Sequence, residues 1–485
     1  MAAIMIQGCG SDVGKSVLTA GLCRLFTNRG LRVRPFKPQN MSNNAAVTAD
    51  AGEIGRAQAV QALACRVAPT VHMNPVLLKP QSDVDAQVVV RGRMAGTFSA
   101  GAYQLQKRDL LPIIIDSFRL LEAEADLVVV EGAGSPAEIN LRNGDLANMG
   151  FATATQTPVV LAGDIDRGHV IAALVGAHAV LADGDHALIK GFVINKFRGD
   201  LALFDEGRSE IVRRTGWMDL GVIPWLPAAR MLPAEDAVVQ LPQRPEASVR
   251  ILIPLLSRIA NFDEFDALRA EREADVRFVP PGQALPGDAD LVILPGTKAT
   301  IADLAFFRAQ GWDIDLAGHV RRGGHVLGIC GGFQMLGNRI EDPGGAEGPP
   351  GPVEGLRLLD VDTVLTGEKV LQPVRGRLAE NGAFFEGYEM HVGCSQGPAM
   401  ARPFLTLHPD VPDGAMSPNG RIAGGYVHGL FNLPGPRAAL LGLFGRRSNA
   451  VDQNAVVETA LDDLAAALEQ ALKIDAILQI ARSPV

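Results

Sequence analysis

Short apolar runs alternate with stretches of helical spacing over the first half of the chain. Ala3–Ile6, Leu31–Pro35, Leu127–Val130, Pro158–Leu161, Leu188–Ile194 and Leu220–Ile223 predict buried strands. Val17–Asn28, Ile54–Cys65 and Asp109–Glu122 predict helices between them. Such alternation specifies a parallel sheet covered by helices on both faces. Gln240–Ala247 carries two prolines and no apolar period, which marks a linker. The pattern then restarts with strand-like runs at Arg250–Pro254, Leu291–Leu294 and His325–Ile329. A Gly/Pro-rich stretch from Glu341 to Val353 predicts an exposed loop. Thr363–Leu365, Phe384–His391 and Arg421–Val427 predict strands of a more antiparallel portion, and Val456–Ile480 an amphipathic helix. The expected fold is α/β in two domains, residues 1–240 and 250–445, with a linker at 241–249 and a helical tail at 446–485.

Composition narrows the function. With 47% hydrophobic and 20% charged residues over 485 positions, wholesale disorder is excluded. Forty-five Lys+Arg against 54 Asp+Glu give a net charge of −9, which argues against nucleic acid as the partner. Cys9, Cys23, Cys65, Cys330 and Cys394 are odd in number and form no CxxC pair, so neither a disulfide framework nor a zinc ribbon fits. A reduced, cytoplasmic setting is expected. Met1 leads straight into an apolar strand without signal-peptide features. Apolar stretches such as Ile171–Ala182 are too short or too interrupted to span a bilayer.

The first chemical signal is Gly8-Cys-Gly-Ser-Asp-Val-Gly14-Lys15-Ser16, which follows the first strand and opens the first helix. Small residues there let consecutive N–H groups turn inward around phosphate oxygens. Lys15 is expected to reach the β- and γ-phosphates of ATP, and the Ser16 hydroxyl to ligate Mg²⁺. Cys9 stands where the usual loop has its first glycine, with Gly8 one residue earlier. Glu131, ending the strand Val-Val-Val-Glu, is the second metal candidate, because parallel sheets present ligands at their carboxyl edge. Asp164 and Asp166 are weaker candidates. Asn195, after the run Gly191–Ile194, could read a purine base. Met41-Ser-Asn-Asn44 and Glu53–Gln58 are polar for segments between elements. With Arg56, Lys79, Arg91 and Arg93 they could cradle an anionic substrate or form a solvated face.

The second signal is Gly323–Gln334, where an apolar strand runs into Cys330 and then into glycines. This is a nucleophile-elbow layout with sulfur in place of oxygen. The Gly331 N–H can stabilise an oxyanion, and Gly296 in Leu294-Pro-Gly-Thr offers a second donor. Of nine histidines, His428 sits at a strand end between glycine-rich flanks and is the expected general base, with His391 as competitor. His169 and His325 have no evident chemical partner. Cys9, Cys23 and Cys65 read as small buried apolar side chains.

Gly-Ile-Cys330-Gly-Gly-Phe-Gln and Tyr-Val-His428-Gly-Leu-Phe resemble the glutaminase domain of class I glutamine amidotransferases. Most of that class carry a Glu two positions after the His. Leu430 stands there, so the orienting acid remains unassigned. The N-terminal part is similar to the dethiobiotin-synthetase type of P-loop enzyme. Together with Lys37-Pro-Gln-Asn-Met41, Gly52–Gln58, Met73–Pro80, Asp164–Gly168 and Asn195–Asp200, the chain resembles the cobyric acid synthase family from residue 1 to about residue 445. Cys9-Gly10 and His169 depart from that family's pattern without removing a ligand group. The resemblance implies ATP- and glutamine-dependent amidation of the b, d, e and g carboxylates of adenosylcobyrinic acid a,c-diamide. Its substrates would be a corrinoid polycarboxylate, glutamine and ATP, and a homo-oligomer is compatible with it. The alternatives are the sister reaction at the a and c carboxylates and a P-loop switch ATPase with a non-hydrolysing C-terminal domain.

Overall fold

The strands that alternate in sequence bury alternate residues on opposite faces of one sheet. In the computed structural model, which describes residues 2–81, 85–235, 243–347 and 350–483, they run parallel. Their spatial order is Met218–Pro224, Ile189–Phe197, Val159–Asp164, Ala2–Gly8, Leu127–Glu131, Val33–Phe36. Ala3, Met5, Val128, Val130 and Leu161 belong to one core, and Ile4, Ile6, Leu127, Val129 and Val160 to another. The period of two thus feeds two cores, as a doubly covered sheet requires. Residues 236–242 lie outside the described residues, and with them the expected end of the first domain and the start of the linker. So do residues 348–349 of the expected exposed loop, whose flanks pair as the antiparallel strands Arg339–Asp342 and Gly351–Glu354.

The chain divides into two compact units. One comprises Met1–Ser42, Thr48–Glu235 and Val457–Val485, the other Asn43–Val47 and Asp236–Val456. In the first unit, the helix Ala100–Glu124 lends Ile114 and Phe118 to the first core. The second core is closed by the phosphate-loop helix Lys15–Asn28 and by the C-terminal segment. That segment is two helices, Gln453–Ala471 and Ile474–Arg482, where one was expected. The break has a local cause: Leu472 bridges Gly221 of the edge strand, and the Lys473 N–H donates to the Leu220 carbonyl at 2.9 Å. Arg24, buried in the phosphate-loop helix, ion-pairs with Glu458 and Asp462 of the first tail helix.

Residues 37–99 hold more structure than their sequence suggests. Gln39–Met41, Val76–Pro80, Asp85–Val90 and Arg93–Ser99 form a small four-stranded sheet. Its last hairpin turns at Arg91-Gly92, both with positive φ (45° and 75°), the geometry of the two-residue turns normally marked by Asn-Gly.

The second unit has its own parallel sheet, ordered Ala274–Val279, Val249–Pro254, Leu291–Leu294, His325–Ile329, Ile422–Gly425, with antiparallel Ala415–Met416 at the edge. An antiparallel sheet is built around Asp362–Leu378 and Phe384–Gln396, both longer than expected because polar residues on their exposed face interrupt the apolar pattern. The run expected as one strand over Arg421–Val427 splits at Tyr426. Ile422–Gly425 stays in the parallel sheet, and Val427–His428 joins the antiparallel one. Among the described residues, no helix is long and apolar enough to cross a membrane.

Because the tail supplies one wall of a core, Leu461, fully buried in it, should behave as an internal residue. Leu461→Ala is expected to cost about 2–5 kcal/mol, read as a lowered thermal midpoint of the intact chain.

Candidate active site

The strand His325–Ile329 ends at Cys330, whose φ of 53° and ψ of −112° lie outside the regions open to most side chains. Such a conformation costs about 1–3 kcal/mol and persists only when its surroundings enforce it. Here the next residues enforce it. A Cβ on Gly332 would run into the Leu294 carbonyl, so the helix Gly331–Leu336 can start against the neighbouring strand only as glycine. The thiol, buried to 7% exposure, is held 3.5 Å from the Met390 carbonyl and interacts electrostatically with the His428 imidazole.

His428 arrives at that thiol because the chain changes sheets at Tyr426. Its strand pairs with Phe384–Gln396 in a register that sets Tyr388 opposite His428, and the two rings stack at 5.3 Å. Nδ1 of His428 lies 3.0 Å from Glu264 Oε1, and the Gly429 N–H donates to Glu264 Oε2 at 3.1 Å. The carboxylate behind His428 is therefore Glu264, in the short turn Phe262–Phe265, while Leu430 is buried. Burial by itself would lower the imidazole; the Glu264 carboxylate and the Cys330 sulfur outweigh it and push it up to about 10. The site holds an imidazolium with one carboxylate behind it and a sulfur in front.

Gly296 borders the same ring. A Cβ there would come 2.7 Å from His428 Cε1, so the position has room for hydrogen only. Gly331 faces the loop of Gly296 through Thr297. His391 has other company: Nδ1 meets the Gly393 carbonyl at 3.1 Å and its ring stacks on Tyr426 at 3.8 Å.

In the first unit the phosphate loop is shaped from behind. Asn195 Nδ2 donates to the Val13 carbonyl at 2.8 Å, and its Oδ1 accepts from the Lys196 N–H at 2.9 Å. The amide considered for base reading is thus spent on backbone, and it packs against Gly14, whose φ is 93°. A Cβ on Gly8 would press on Val13 and Lys15. Lys15 Nζ donates to the Gly10 and Gly134 carbonyls at 2.8 and 3.0 Å, and burial lowers its pKa.

Ser16 Oγ lies 2.7 Å from Glu131 Oε1, bringing together the two residues expected to hold a metal. A third residue, unnoticed in the sequence, joins them. Glu235 Oε2 is 2.8 Å from the same hydroxyl. Lys37 Nζ stands between the carboxylates, 2.9 Å from Glu131 and 3.3 Å from Glu235. Asn40 donates to Glu235 at 2.8 Å and Gln61 to Glu131 at 2.5 Å. Burial would raise Glu235, but Lys37, Asn40 and Ser16 hold its carboxyl below the usual range. Burial likewise works against the Lys37 ammonium, and the two glutamates hold it well above its ordinary value.

Other candidates are engaged elsewhere. Asp164 pairs with Lys196 at 2.8 Å and Asp166 with Arg198 at 2.9 Å. The anionic cradle loses two of its cations: Lys79 is buried against Glu53 at 2.9 Å, and Arg91 pairs with Asp116 and with Ser117. Asn44 faces the second unit's own loop at Asn261. Cys23 and Cys65 are buried as expected; Cys9 is partly exposed, and burial of its thiol pushes it up to about 12.

A cysteine elbow with an imidazole and carboxylate in one unit, and a phosphate loop over paired carboxylates in the other, define a glutamine amidotransferase joined to a nucleotide-binding domain. Comparison with known proteins agrees. Residues 4–239 match the CobQ/CobB/MinD/ParA nucleotide binding domain, and residues 250–435 the CobB/CobQ-like glutamine amidotransferase domain. Proteins named cobyric acid synthase from Caulobacter sp. (strain K31) and Paracoccus denitrificans (strain Pd 1222) are 65% and 60% identical to it. Each alignment covers 99% of this chain and 100% of the relative. The chain belongs to the cobyric acid synthase family, enzymes of the glutamine-dependent amidotransferase class.

The raised imidazole carries a pH signature. His428 favours the folded state fully below its ordinary value of 6.5, and that contribution is lost as pH rises through about 10. Thermal midpoints of the wild type should fall between those limits more steeply than those of Glu264→Gln. Parallel curves would separate Glu264 from the imidazole's charge.

Proposed function

We propose that the chain amidates the b, d, e and g side-chain carboxylates of adenosylcobyrinic acid a,c-diamide to give adenosylcobyric acid, using ATP and glutamine. The observation that carries this reading is the pairing of Cys330, His428 and Glu264 in a chain that also holds Lys15, Ser16 and Glu131 at a phosphate loop. The relatives named cobyric acid synthase point to cobyric acid as the product, and the substrates are small molecules of the cytoplasm.

In the glutaminase centre, Cys330 passes its proton to His428 and Sγ attacks the amide carbon of glutamine, with the amides of Gly331 and Gly296 as donors to the developing oxyanion. His428 gives its proton to the departing nitrogen and ammonia leaves. Water then hydrolyses the thioester, returning the thiol and releasing glutamate. Glu264 keeps the imidazole in one orientation and compensates its charge while it is protonated.

A carboxylate is a poor electrophile, and ammonia adds to it only after activation as an acyl phosphate. Lys15 and Lys37 place two cations beside Ser16, where charge develops on the transferred phosphoryl group. Two buried carboxylates and a hydroxyl converge there with an ammonium between them, a set of hard oxygens suited to a small divalent cation. Among the described residues no cluster of three or more His, Cys, Asp or Glu forms a closed metal cage, and Mg²⁺ at nucleotides needs none. Ser16, Glu131 and Glu235 would hold Mg²⁺, which when bound neutralises phosphate charge.

Two experiments test the reading. Cys330→Ala should lose glutamine-supported amidation by about a thousandfold or more yet retain it with ammonium salt; Lys15→Ala should lose both. An ammonium-inactive but folded Cys330→Ala sinks the two-centre account. Mass spectrometry of the corrin after incubation with ATP, Mg²⁺ and glutamine should find four successive losses of about one mass unit. Two losses would mean the sister reaction, and none a switch ATPase.

A further inference from the structure

The polar stretch Met41–Asn44 has no role in the chemistry above, yet Asn44 is only 1% exposed. It belongs with Asn43–Val47 to the second unit, although the residues on either side of that segment belong to the first. Within the second unit, Asn44 Oδ1 accepts from the Asn261 N–H at 2.7 Å. One residue on, the Ala45 N–H donates to Asn261 Oδ1 at 3.1 Å. Each asparagine side chain thus closes on the other segment's backbone, and both are buried.

Asn261 adopts φ 55° and ψ 33°, left-handed values that asparagine tolerates better than most residues. Its own carbonyl accepts from the Glu264 N–H at 3.1 Å, the first bond of the turn that presents the carboxylate to His428. On the other side, the Ala260 N–H donates to the Gly296 carbonyl at 2.9 Å. The loop carrying Glu264 is therefore fixed at two places: Gly296, inside the centre, and Asn44, almost 220 positions earlier in the chain.

We infer that Asn44 is a positioning residue of the glutaminase centre, holding Asn261 in its left-handed turn so that Glu264 meets His428. The inference rests on the Cys330–His428–Glu264 reading. It also gives the motif a place in the reaction. Asn40, four residues before, touches Glu235 beside Ser16 in the first unit.

The test uses the full-length enzyme with ATP, Mg²⁺ and the corrin acceptor, following glutamate release and ammonium-supported amidation separately. Asn44→Ala leaves the buried Asn261 N–H without its acceptor. It should lower kcat for glutamate release about tenfold to hundredfold while KM for glutamine and ammonium-supported amidation hold. Asn261→Gly permits the same φ but removes the reciprocal acceptor, and should fall alike. The double variant should lose little more than either single one, because the two form one clamp. Unchanged glutamate release, an equal loss with ammonium, or fully additive losses in the pair would each overturn the inference. Cys330→Ala is the control: glutamate release that survives it would refute the underlying reading instead.

Discussion

The buried pair of Glu264 and His428 is the constraint around which the amidotransferase unit is arranged. A charged imidazole out of water is tolerated only when a counter-charge and a full set of hydrogen bonds go with it. One carboxylate oxygen meets Nδ1 and the other meets the next backbone N–H, so the acid is used on both sides. The demand reaches outward from there. Gly296 must lack a side chain to leave room for the ring, Asn261 must turn left-handed to deliver the acid, and the strand must change sheets at Tyr426 to deliver the histidine. The strained backbone of Cys330 completes the set, since an ordinary turn would not aim the sulfur at that imidazole.

The nucleotide-binding unit solves a related problem with two charges of each sign. Two carboxylates and the Lys37 ammonium lie buried around Ser16 with the Lys15 ammonium close by, and each has its donors or acceptors. Such a network is tightly satisfied, its two carboxylates offset by the Lys15 and Lys37 ammonium groups. The glutaminase centre keeps its proton; the phosphate site keeps its anions. Each unit stores, before substrate arrives, the charge that its half of the reaction will use.

Much of this was legible in the chain. Strand–helix alternation foretold both parallel sheets, because residues buried on two faces leave uninterrupted apolar runs. That Ser16 meets Glu131 beside Lys15, and Cys330 meets His428, was legible because loop and strand end lie in short, continuous motifs. Glu264 and Glu235 were not, since each is a single acid in a polar stretch whose value comes only from what folds against it. A rule was available for Glu264: it follows the strand Val249–Pro254 at the carboxyl edge of the sheet, where ligands gather. The cradle cations misled because their partners, Glu53 and Asp116, lie in other elements. The tail's break at Leu472 was invisible because its helical period continues through a residue that bridges an edge strand.

The path of the chain has one more consequence. Its last helices close the core behind the phosphate-loop helix, so the ATP-handling half cannot be finished until the ribosome has passed through the glutamine-splitting half. Synthesis itself thereby enforces a stoichiometry of one to one. A prematurely terminated product would lack one wall of that core.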